Sequence, residues 1–154
     1  MIKIDEKDKQ ILKLLQQDAN QTTKQISAKI KLSQTAVYER IKRLEREKLI
    51  TSYVALCDLE KVEKAFTAFC MVKLVSHTKK SLVNFEKDIL TLSEITECYH
   101  ISGEYDYLLK INVKNIKAYR QFMVEKLTSI PFIGSTQSAF NISTVKYSTA
   151  IALD

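Results

Sequence analysis

The chain has 154 residues, 45% of them hydrophobic and 27% charged, which suits one globular domain or two small ones. No apolar run approaches the roughly 20 residues of a membrane-spanning helix, and the N-terminal MIKIDEKDKQ is too charged for a signal peptide. Both features predict a cytoplasmic protein with no membrane partner. The net charge of +6 is uneven, since residues 1–54 hold 12 Lys and Arg against 7 Asp and Glu, and a basic first third favours a polyanionic partner.

The residue types needed for catalysis or metal binding are sparse. Cys57, Cys70 and Cys98 have no C-x-x-C spacing and lie in apolar segments, which predicts buried reduced thiols. His77 and His100 are far apart, and neither a Ser/His/Asp spacing nor a phosphate-binding glycine loop is present. The sequence therefore predicts no enzyme, no metal site and no cofactor.

Two amphipathic helices are predicted at the start of the chain. The first covers residues 5–17, with Asp5 as its N-cap, and the second begins at the capping-box pair Thr22 and Gln25. One face of the first helix carries Asp8, Ile11, Leu12 and Leu15, and the second helix has a stripe of Ile26 and Ile30. Apolar residues at this spacing pack inward.

A third, basic helix follows in LSQTAVYERIKRLEREKLI. Ser33 is its predicted N-cap, and its inner face consists of Val37, Ile41 and Leu44. Three short helices, the last basic outside, predict a helix-turn-helix domain over residues 1–50 that binds double-stranded DNA. Short polar groups at the start of such a helix reach base edges and longer cations hold phosphates. The outer face offers Gln34, Thr35 and Tyr38 for the bases, Glu39 beside them, and Arg40, Lys42 and Arg43 for the phosphates. The alternative is a solvated basic helix in a small bundle.

A different pattern covers the rest of the chain. After a predicted linker strand over residues 51–64, the order β-α-β-β-α-β is that of a ferredoxin-like domain over residues 65–154, giving an α+β fold class. The last helix is predicted to run through Leu127 and to be stopped by Pro131. Both helices cover one face of the sheet, so the apolar uncovered face predicts a two-fold homodimer.

Four stretches in order, IDEKDKQILKLLQ, LSQTAVYERIKRLE, ECYHISGEYDYLLKI and AYRQFMVEKLTSIP, resemble the Lrp/AsnC (feast/famine) family of transcription regulators. The resemblance covers nearly the whole chain. It implies a helix-turn-helix domain joined to a RAM-type domain that binds a free amino acid, and dimers that associate further, commonly into octamers. By the same resemblance the DNA-reading segment extends from Thr23 and Lys24 to Lys42, with Ser33 to Arg43 as the helix in the major groove.

The chain departs from the family pattern at three positions. Lys31, between the second and third helices, and Lys48, after the third, stand where the family usually has Gly. If both turns stay left-handed, each non-glycine residue costs roughly 1–2 kcal/mol. Glu104 replaces the usual Asp after Gly103, which affects the identity of the ligand more than binding itself.

The stretch HISGEYDYLLKI contains one of only two glycines. In a tight turn through Ser102, Gly103 and Glu104, backbone N–H groups can form a nest for a carboxylate, and Gly103 permits positive φ and close approach of a ligand. Asp106 is predicted to bind the ammonium of an amino acid, and Tyr105 to wall the pocket. The resemblance adds a site near the contact between dimers, with Thr128, Ser135, Thr136 and Gln137 as further candidates, the last three from a neighbouring subunit.

Other interpretations stay open. The turn is also compatible with a simple hairpin, or with a pocket that binds no effector. The sequence favours a sequence-specific DNA-binding transcription regulator tuned by an amino acid. The alternatives are a stand-alone small-molecule-binding oligomer and an architectural, nucleoid-type DNA-binding protein with weak sequence preference or no effector.

Overall fold

A computed structural model describes residues 3–153 of the chain. These divide into two compact units: the first takes in the chain up to Leu56 and again from Val145, and the second is Cys57–Thr144. The predicted boundaries instead grouped the last ten residues with the second unit. Two hydrogen bonds account for the difference, because the Gln16 side-chain amide donates to the carbonyl oxygen of Ile151 at 3.2 Å and accepts from its N–H at 2.8 Å.

The first unit contains three helices, α1 (Glu6–Gln17), α2 (Thr23–Ile30) and α3 (Gln34–Arg46). Each helix begins after a predicted N-cap, Asp5, Thr22 or Ser33, whose side chain accepts the backbone N–H of the residue three positions later. The apolar core of the unit consists of Ile11, Ile26, Ile30, Val37 and Leu44. The helical spacing of these residues was therefore a correct guide to the inner face.

Both turns that flank α3 keep left-handed geometry. Lys31 has φ 55° and Lys48 has φ 59°, so the two lysines occupy the conformation that glycine adopts without strain. The backbone N–H of Lys31 completes the last helical bond of α2 by donating to the carbonyl of Ser27. The left-handed conformation of Lys31 then lets the Leu32 N–H donate to the same carbonyl at 3.3 Å, which is the bond that ends a helix at a left-handed residue.

The second unit is a four-stranded antiparallel sheet with two helices. Its elements are β1 (Phe66–Leu74), α4 (Lys79–Ile89), β2 (Ile95–His100), β3 (Tyr107–Val113), α5 (Ile116–Glu125) and β4 (Ile133–Phe140). The strand order is β2-β3-β1-β4, with β1 between β3 and β4 and every neighbouring pair antiparallel. The chain therefore has the predicted α+β fold, a helix-turn-helix followed by a ferredoxin-like βαββαβ unit.

Both helices pack on the same face of the sheet. Alternate residues of β1 and β3 point into this core, where they meet Phe85 and Ile89 of α4 and Tyr119 and Phe122 of α5. The register that pairs Met71 with Leu108 turns those side chains to the opposite face. In the described part of a single chain no helix covers that face, and Phe69 and Tyr99 are exposed on it.

The predicted linker strand is not present among the described residues. Residues 51–58 have no regular structure and residues 59–63 form a turn, because a strand requires a ladder partner and this segment pairs with no strand of its own chain. No helix within residues 3–153 is long and apolar enough to cross a bilayer.

The predicted end of the last helix is wrong. Helix α5 ends at Glu125, six residues before Pro131, and a 3-10 turn follows at Leu127–Ser129. Hydroxyl groups at this point bond to the backbone, since Thr128 donates to the carbonyl of Met123 at 2.8 Å. Side chains of this type compete with the helical ladder, and here they end it earlier than proline would.

Candidate functional site

The predicted base-reading residues form an exposed polar row at the start of α3. Gln34, Thr35, Tyr38 and Glu39 are all exposed, while Val37 and Leu44 on the opposite side of the helix are fully buried. Ser33 caps the helix, since its hydroxyl accepts the Ala36 N–H at 3.1 Å. The first turn of α2 holds Thr23 and the exposed Lys24. The helix thus presents short polar groups outward at its N-terminal end, the arrangement a base-reading helix uses.

The predicted phosphate-binding cations all have acidic partners within the chain. Arg40 Nη1 lies 2.7 Å from Asp5 Oδ2 and 2.7 Å from Asp8 Oδ1, and Arg43 is paired with the other oxygen of Asp8. A separate pair on α3 joins Lys42 Nζ to Glu45 at 2.8 Å. No cation of this predicted set is therefore an unpaired charge.

These ion pairs shift the pKa values of several of the side chains that form them. The hydrogen bonds to Asp5 and then to Asp8 raise the pKa of Arg40, and the bond to Glu45 raises the pKa of Lys42. The backbone N–H of Asp8, followed by the Arg40 side chain, lowers the pKa of Asp5 to about 2. Asp5, Arg40 and Lys42 are therefore charged near neutral pH.

Asp8 was missed as a functional residue, although the sequence carried a signal for it. A carboxylate on the same helical face as Ile11 must be buried, and the structure buries the Asp8 side chain completely. A buried carboxylate requires a cationic partner, and the basic α3 is the source of cations in this unit.

The second predicted site is the hairpin between β2 and β3. Ser102, Gly103 and Glu104 are exposed at its tip, and the Ile101 N–H closes it by donating to the carbonyl of Asp106 at 2.8 Å. Gly103 has φ +129°, a conformation that side-chain-bearing residues rarely adopt. A Cβ at this position would meet nothing within 4 Å, so the space around the turn is open.

Asp106 does not present a free carboxylate. Its Oδ2 accepts the Leu74 N–H at 2.7 Å, and its Oδ1 lies 2.7 Å from Nε2 of His77. Burial acts to raise the pKa of Asp106, but the hydrogen bond from Leu74 and the contact with His77 outweigh it and lower the pKa. Asp106 therefore fixes the end of β1, a role that was not predicted from the sequence.

Strand β4 reaches the hairpin within one chain. The Tyr105 hydroxyl donates to Gln137 Oε1 at 2.6 Å, whereas Gln137 was predicted to come from a neighbouring subunit. Ser135 is exposed on the same strand and Thr136 is half-buried. Gly134 packs against the end of β1, where an added Cβ would lie 2.9 Å from Val75 Cγ1. The end of β1 is thus flanked by Asp106 on one side and Gly134 on the other.

The remaining sequence predictions concern Thr128, the three cysteines and metal binding. Thr128 is exposed and its hydroxyl is bonded to Met123, as described above. The cysteine prediction holds for Cys70, which is buried, but is wrong for Cys57 and Cys98, which are exposed because Cys57 lies in the unpaired linker and Cys98 on the edge strand β2. Within residues 3–153 no group of His, Cys, Asp and Glu is arranged to hold a metal ion.

Comparisons with known proteins agree with both halves of the chain. Residues 4–45 match the AsnC-type helix-turn-helix domain and residues 67–151 match the Lrp/AsnC ligand binding domain. The chain is 30% identical to the DNA-binding transcriptional activator DecR of Escherichia coli over 151 residues, which is 98% of this chain and 99% of DecR.

Solved structures of two regulators are similar over nearly their whole length. A transcriptional regulator from Neisseria meningitidis, solved as a complex with L-Met, has a TM-score of 0.95 and 28% identity, covering 99% of this chain and 98% of that one. An AsnC family regulator from Agrobacterium tumefaciens has a TM-score of 0.93 and 33% identity, covering 97% of each chain. The chain belongs to the Lrp/AsnC family of transcriptional regulators, which are not enzymes.

Proposed function

We propose that this regulator binds double-stranded DNA sequence-specifically through α3 and that a free amino acid bound at the β2–β3 hairpin tunes it. The observation that carries the DNA half is the exposed row of Gln34, Thr35 and Tyr38 over a wholly apolar inner face. Arg40, Lys42 and Arg43 are the proposed phosphate ligands, and Thr23 and Lys24 flank them from α2. Because its partner is chromosomal DNA, the protein acts in the cytoplasm.

Selection from a pool of random-sequence duplexes tests this proposal. A specific regulator enriches one motif with two half-sites, since a two-fold dimer presents two recognition helices. It binds that motif at least about 10³-fold more tightly than random duplex. An architectural protein enriches no motif, and that result would overturn the proposal.

Single substitutions then locate the reading surface. Gln34→Ala removes a side chain able to bond an adenine edge in two places, a contact worth about 1–3 kcal/mol, so affinity for the selected motif falls about tenfold or more while random duplex binds as before. Gln121→Ala makes the same chemical change on α5 and leaves both affinities unchanged. Equal effects of the two substitutions would exclude α3 as the reading helix.

The effector half of the proposal rests on the geometry of the hairpin tip. Ser102, Gly103 and Glu104 are exposed around the positive φ of Gly103, and their backbone N–H groups are the proposed ligands of the effector carboxylate. The ammonium is proposed to replace His77 on Oδ1 of Asp106, while the Leu74 N–H keeps Oδ2. The His77 side chain is 61% exposed and is therefore able to move aside.

The surrounding side chains complete the proposed pocket. Tyr105 and Gln137 form one wall through their hydrogen bond, and Ser135, Thr136 and Thr128 are further proposed ligand contacts. The L-Met complex of the Neisseria meningitidis regulator supports an amino acid as the ligand and makes methionine the first to screen.

A thermal-shift screen of the twenty amino acids tests the effector half. A ligand at 100 times its Kd stabilises the protein by about 2.7 kcal/mol, which is a rise in Tm of roughly 5–10 °C at this chain length. Asp106→Asn keeps an acceptor for Leu74 but loses the charge, so it abolishes the ligand-induced rise. Glu60→Gln, an exposed acid in the same unit, keeps it.

If Glu104→Gln abolishes the rise and Asp106→Asn does not, Glu104 is the ammonium ligand instead. A Tm that no amino acid changes would remove the effector from the proposal and leave the DNA half standing.

The uncovered face of the sheet supports self-association. Phe69 and Tyr99 are exposed there. A second copy related by a two-fold axis would cover these residues on both chains, and two-fold dimers are the commonest homo-oligomers. We propose a homodimer that associates further, up to an octamer. Phe69→Glu lowers the mass measured by light scattering to that of a monomer, whereas Leu90→Glu, at a residue 86% exposed on the helical side, does not; equal masses would move the interface elsewhere.

A further inference from the structure

Three cations of α3, Arg40, Lys42 and Arg43, form ion pairs with carboxylates of the same chain. Arg40 and Arg43 are balanced by Asp8 of α1 and by its N-cap Asp5, and Lys42 is balanced by Glu45 one turn further along α3. The first cluster has two positive and two negative charges, and the second has one of each. The basic face predicted from the sequence is therefore electrically neutral at the three positions that were expected to hold phosphates.

The geometry of the first cluster makes its pairing persistent. The Asp8 side chain is wholly buried, while Arg40 and Arg43 remain 28% and 36% exposed. Oδ2 of Asp8 also accepts the Asp5 N–H at 3.0 Å, and Asp5 Oδ1 accepts the Asp8 N–H at 2.9 Å. A buried carboxylate that loses its cation is left with an uncompensated charge, so a phosphate can draw on these arginines only in competition with Asp8.

The second cluster, Lys42 and Glu45, also pairs a cation with a fixed carboxylate, but both side chains are partly exposed to solvent. Lys42 lies on the exposed side of α3 with its ammonium 5.8 Å from the centre of the Tyr38 ring, and Glu45 is held in place by a hydrogen bond from the Tyr53 hydroxyl at 3.0 Å. Glu45 is thus fixed independently of Lys42. A phosphate that takes Lys42 must leave behind a positioned carboxylate that repels it.

We infer that Asp5, Asp8 and Glu45 are specificity-determining residues that suppress sequence-independent binding by occupying the cations a DNA backbone would otherwise use. Sequence-independent affinity comes from cation–phosphate contacts and counterion release. Each cation that already holds a carboxylate gains less from a phosphate. Base contacts at Gln34 and Thr35 are untouched by this masking, so the ratio of specific to random binding rises. This inference rests on the proposed DNA-binding function.

The test uses Glu45→Gln in the full-length protein. Surface pairs of this kind contribute little to stability, and Gln keeps an acceptor for the Tyr53 hydroxyl. The measurement is the Kd for a random-sequence duplex between 50 and 200 mM salt. Freeing one cation adds about one unit to the slope of log K against log salt, and affinity at the low-salt end rises about three- to tenfold. The ratio of specific to random binding falls accordingly.

Two further variants separate masking from a general charge effect. Glu47→Gln removes the same charge from the end of α3 at a residue for which no ion pair is found within residues 3–153, and it leaves the slope unchanged. In Glu45→Gln with Lys42→Met the added slope disappears, because the released ammonium is gone. A merely structural role for Glu45 would not be reversed by removing Lys42.

The outcomes distinguish the inference from the function beneath it. If Glu45→Gln and Glu47→Gln give the same slope, or if the added slope survives the removal of Lys42, the inference is wrong and the DNA-binding proposal is intact. If the unmodified protein binds no duplex at low salt, the proposed function itself fails.

Discussion

Lys31 adopts a left-handed backbone conformation that glycine adopts without strain, and Lys31→Gly should therefore stabilise the protein. Its φ of 55° and ψ of 53° lie in the left-handed region, where a residue with a Cβ costs roughly 1–2 kcal/mol. Lys31→Gly removes that strain, but glycine is also freer in the unfolded chain, which offsets about 0.4–1 kcal/mol. The net expectation is a gain of about 0.5–1 kcal/mol in the free energy of unfolding.

The local structure supports this magnitude because little else changes. The Lys31 side chain is exposed, and its contribution to the cap comes from the backbone N–H to Ser27, which glycine retains. Urea unfolding measures the effect as a higher midpoint at constant slope. In a thermal melt about 1 kcal/mol corresponds to roughly 2–4 °C for a chain of this size.

Two controls make the prediction refutable. Lys31→Ala removes the same charge but keeps the Cβ, so it leaves stability nearly unchanged. Lys13→Gly introduces glycine at an exposed position inside α1, where it should destabilise by about 1 kcal/mol. If Lys31→Gly destabilises as Lys13→Gly does, the left-handed strain is not relieved and the reasoning fails.

Three more expectations concern glycine and acid positions. Gly134→Ala should destabilise, because its Cβ would lie 2.9 Å from Val75 Cγ1, and the loss should be smaller in a Val75→Ala background; additive urea midpoints would contradict this clash. Gly103→Ala should cost about 1–3 kcal/mol through backbone strain alone, measured by urea unfolding without ligand, and an unchanged midpoint would rule the strain out. The pKa of Asp5 is lowered from 3.8 to about 2, so the stability it contributes is present above about pH 4 and is lost as the pH falls towards 2. Asp5→Asn, which remains a good N-cap, should flatten that part of the stability profile, and an identical acid profile would reject the assignment.

Local patterns predicted the helices and the four strands of the sheet, but not the irregular linker at residues 51–58 or the early end of α5. Capping residues such as Thr22 and the helical spacing of Ile26 and Ile30 act over one or two turns, so these helix signals can be recognised from a single sequence. The β-α-β-β-α-β order along the chain followed from alternating strand and helix patterns in the same way. The candidate hairpin was found because a positive φ at Gly103 restricts the residue type at one position.

Partners distant in the chain were not predictable in this way. Asp8 meets Arg40 across 32 positions and Gln16 meets Ile151 across 135, and no periodicity relates such pairs. The same holds for Asp106, whose partners are Leu74 at the end of β1 and His77 in the loop that follows it. A charged residue in an apolar pattern indicates that an oppositely charged partner is required, but only the tertiary fold determines which residue that partner is.

This distinction changes how a basic sequence segment is interpreted. The net charge of residues 1–54 indicates a unit suited to a polyanion, yet the charge that a phosphate meets depends on how many cations the fold has already neutralised. The carboxylates of Asp8 on α1 and Glu45 on α3 are held in place by burial and by Tyr53 respectively, so the inferred effect of these acids on DNA binding does not average out as that of mobile surface acids does. Specificity in such a helix then depends on hydrogen bonds to bases, which intrachain acids leave unmasked, more than on the number of its basic residues.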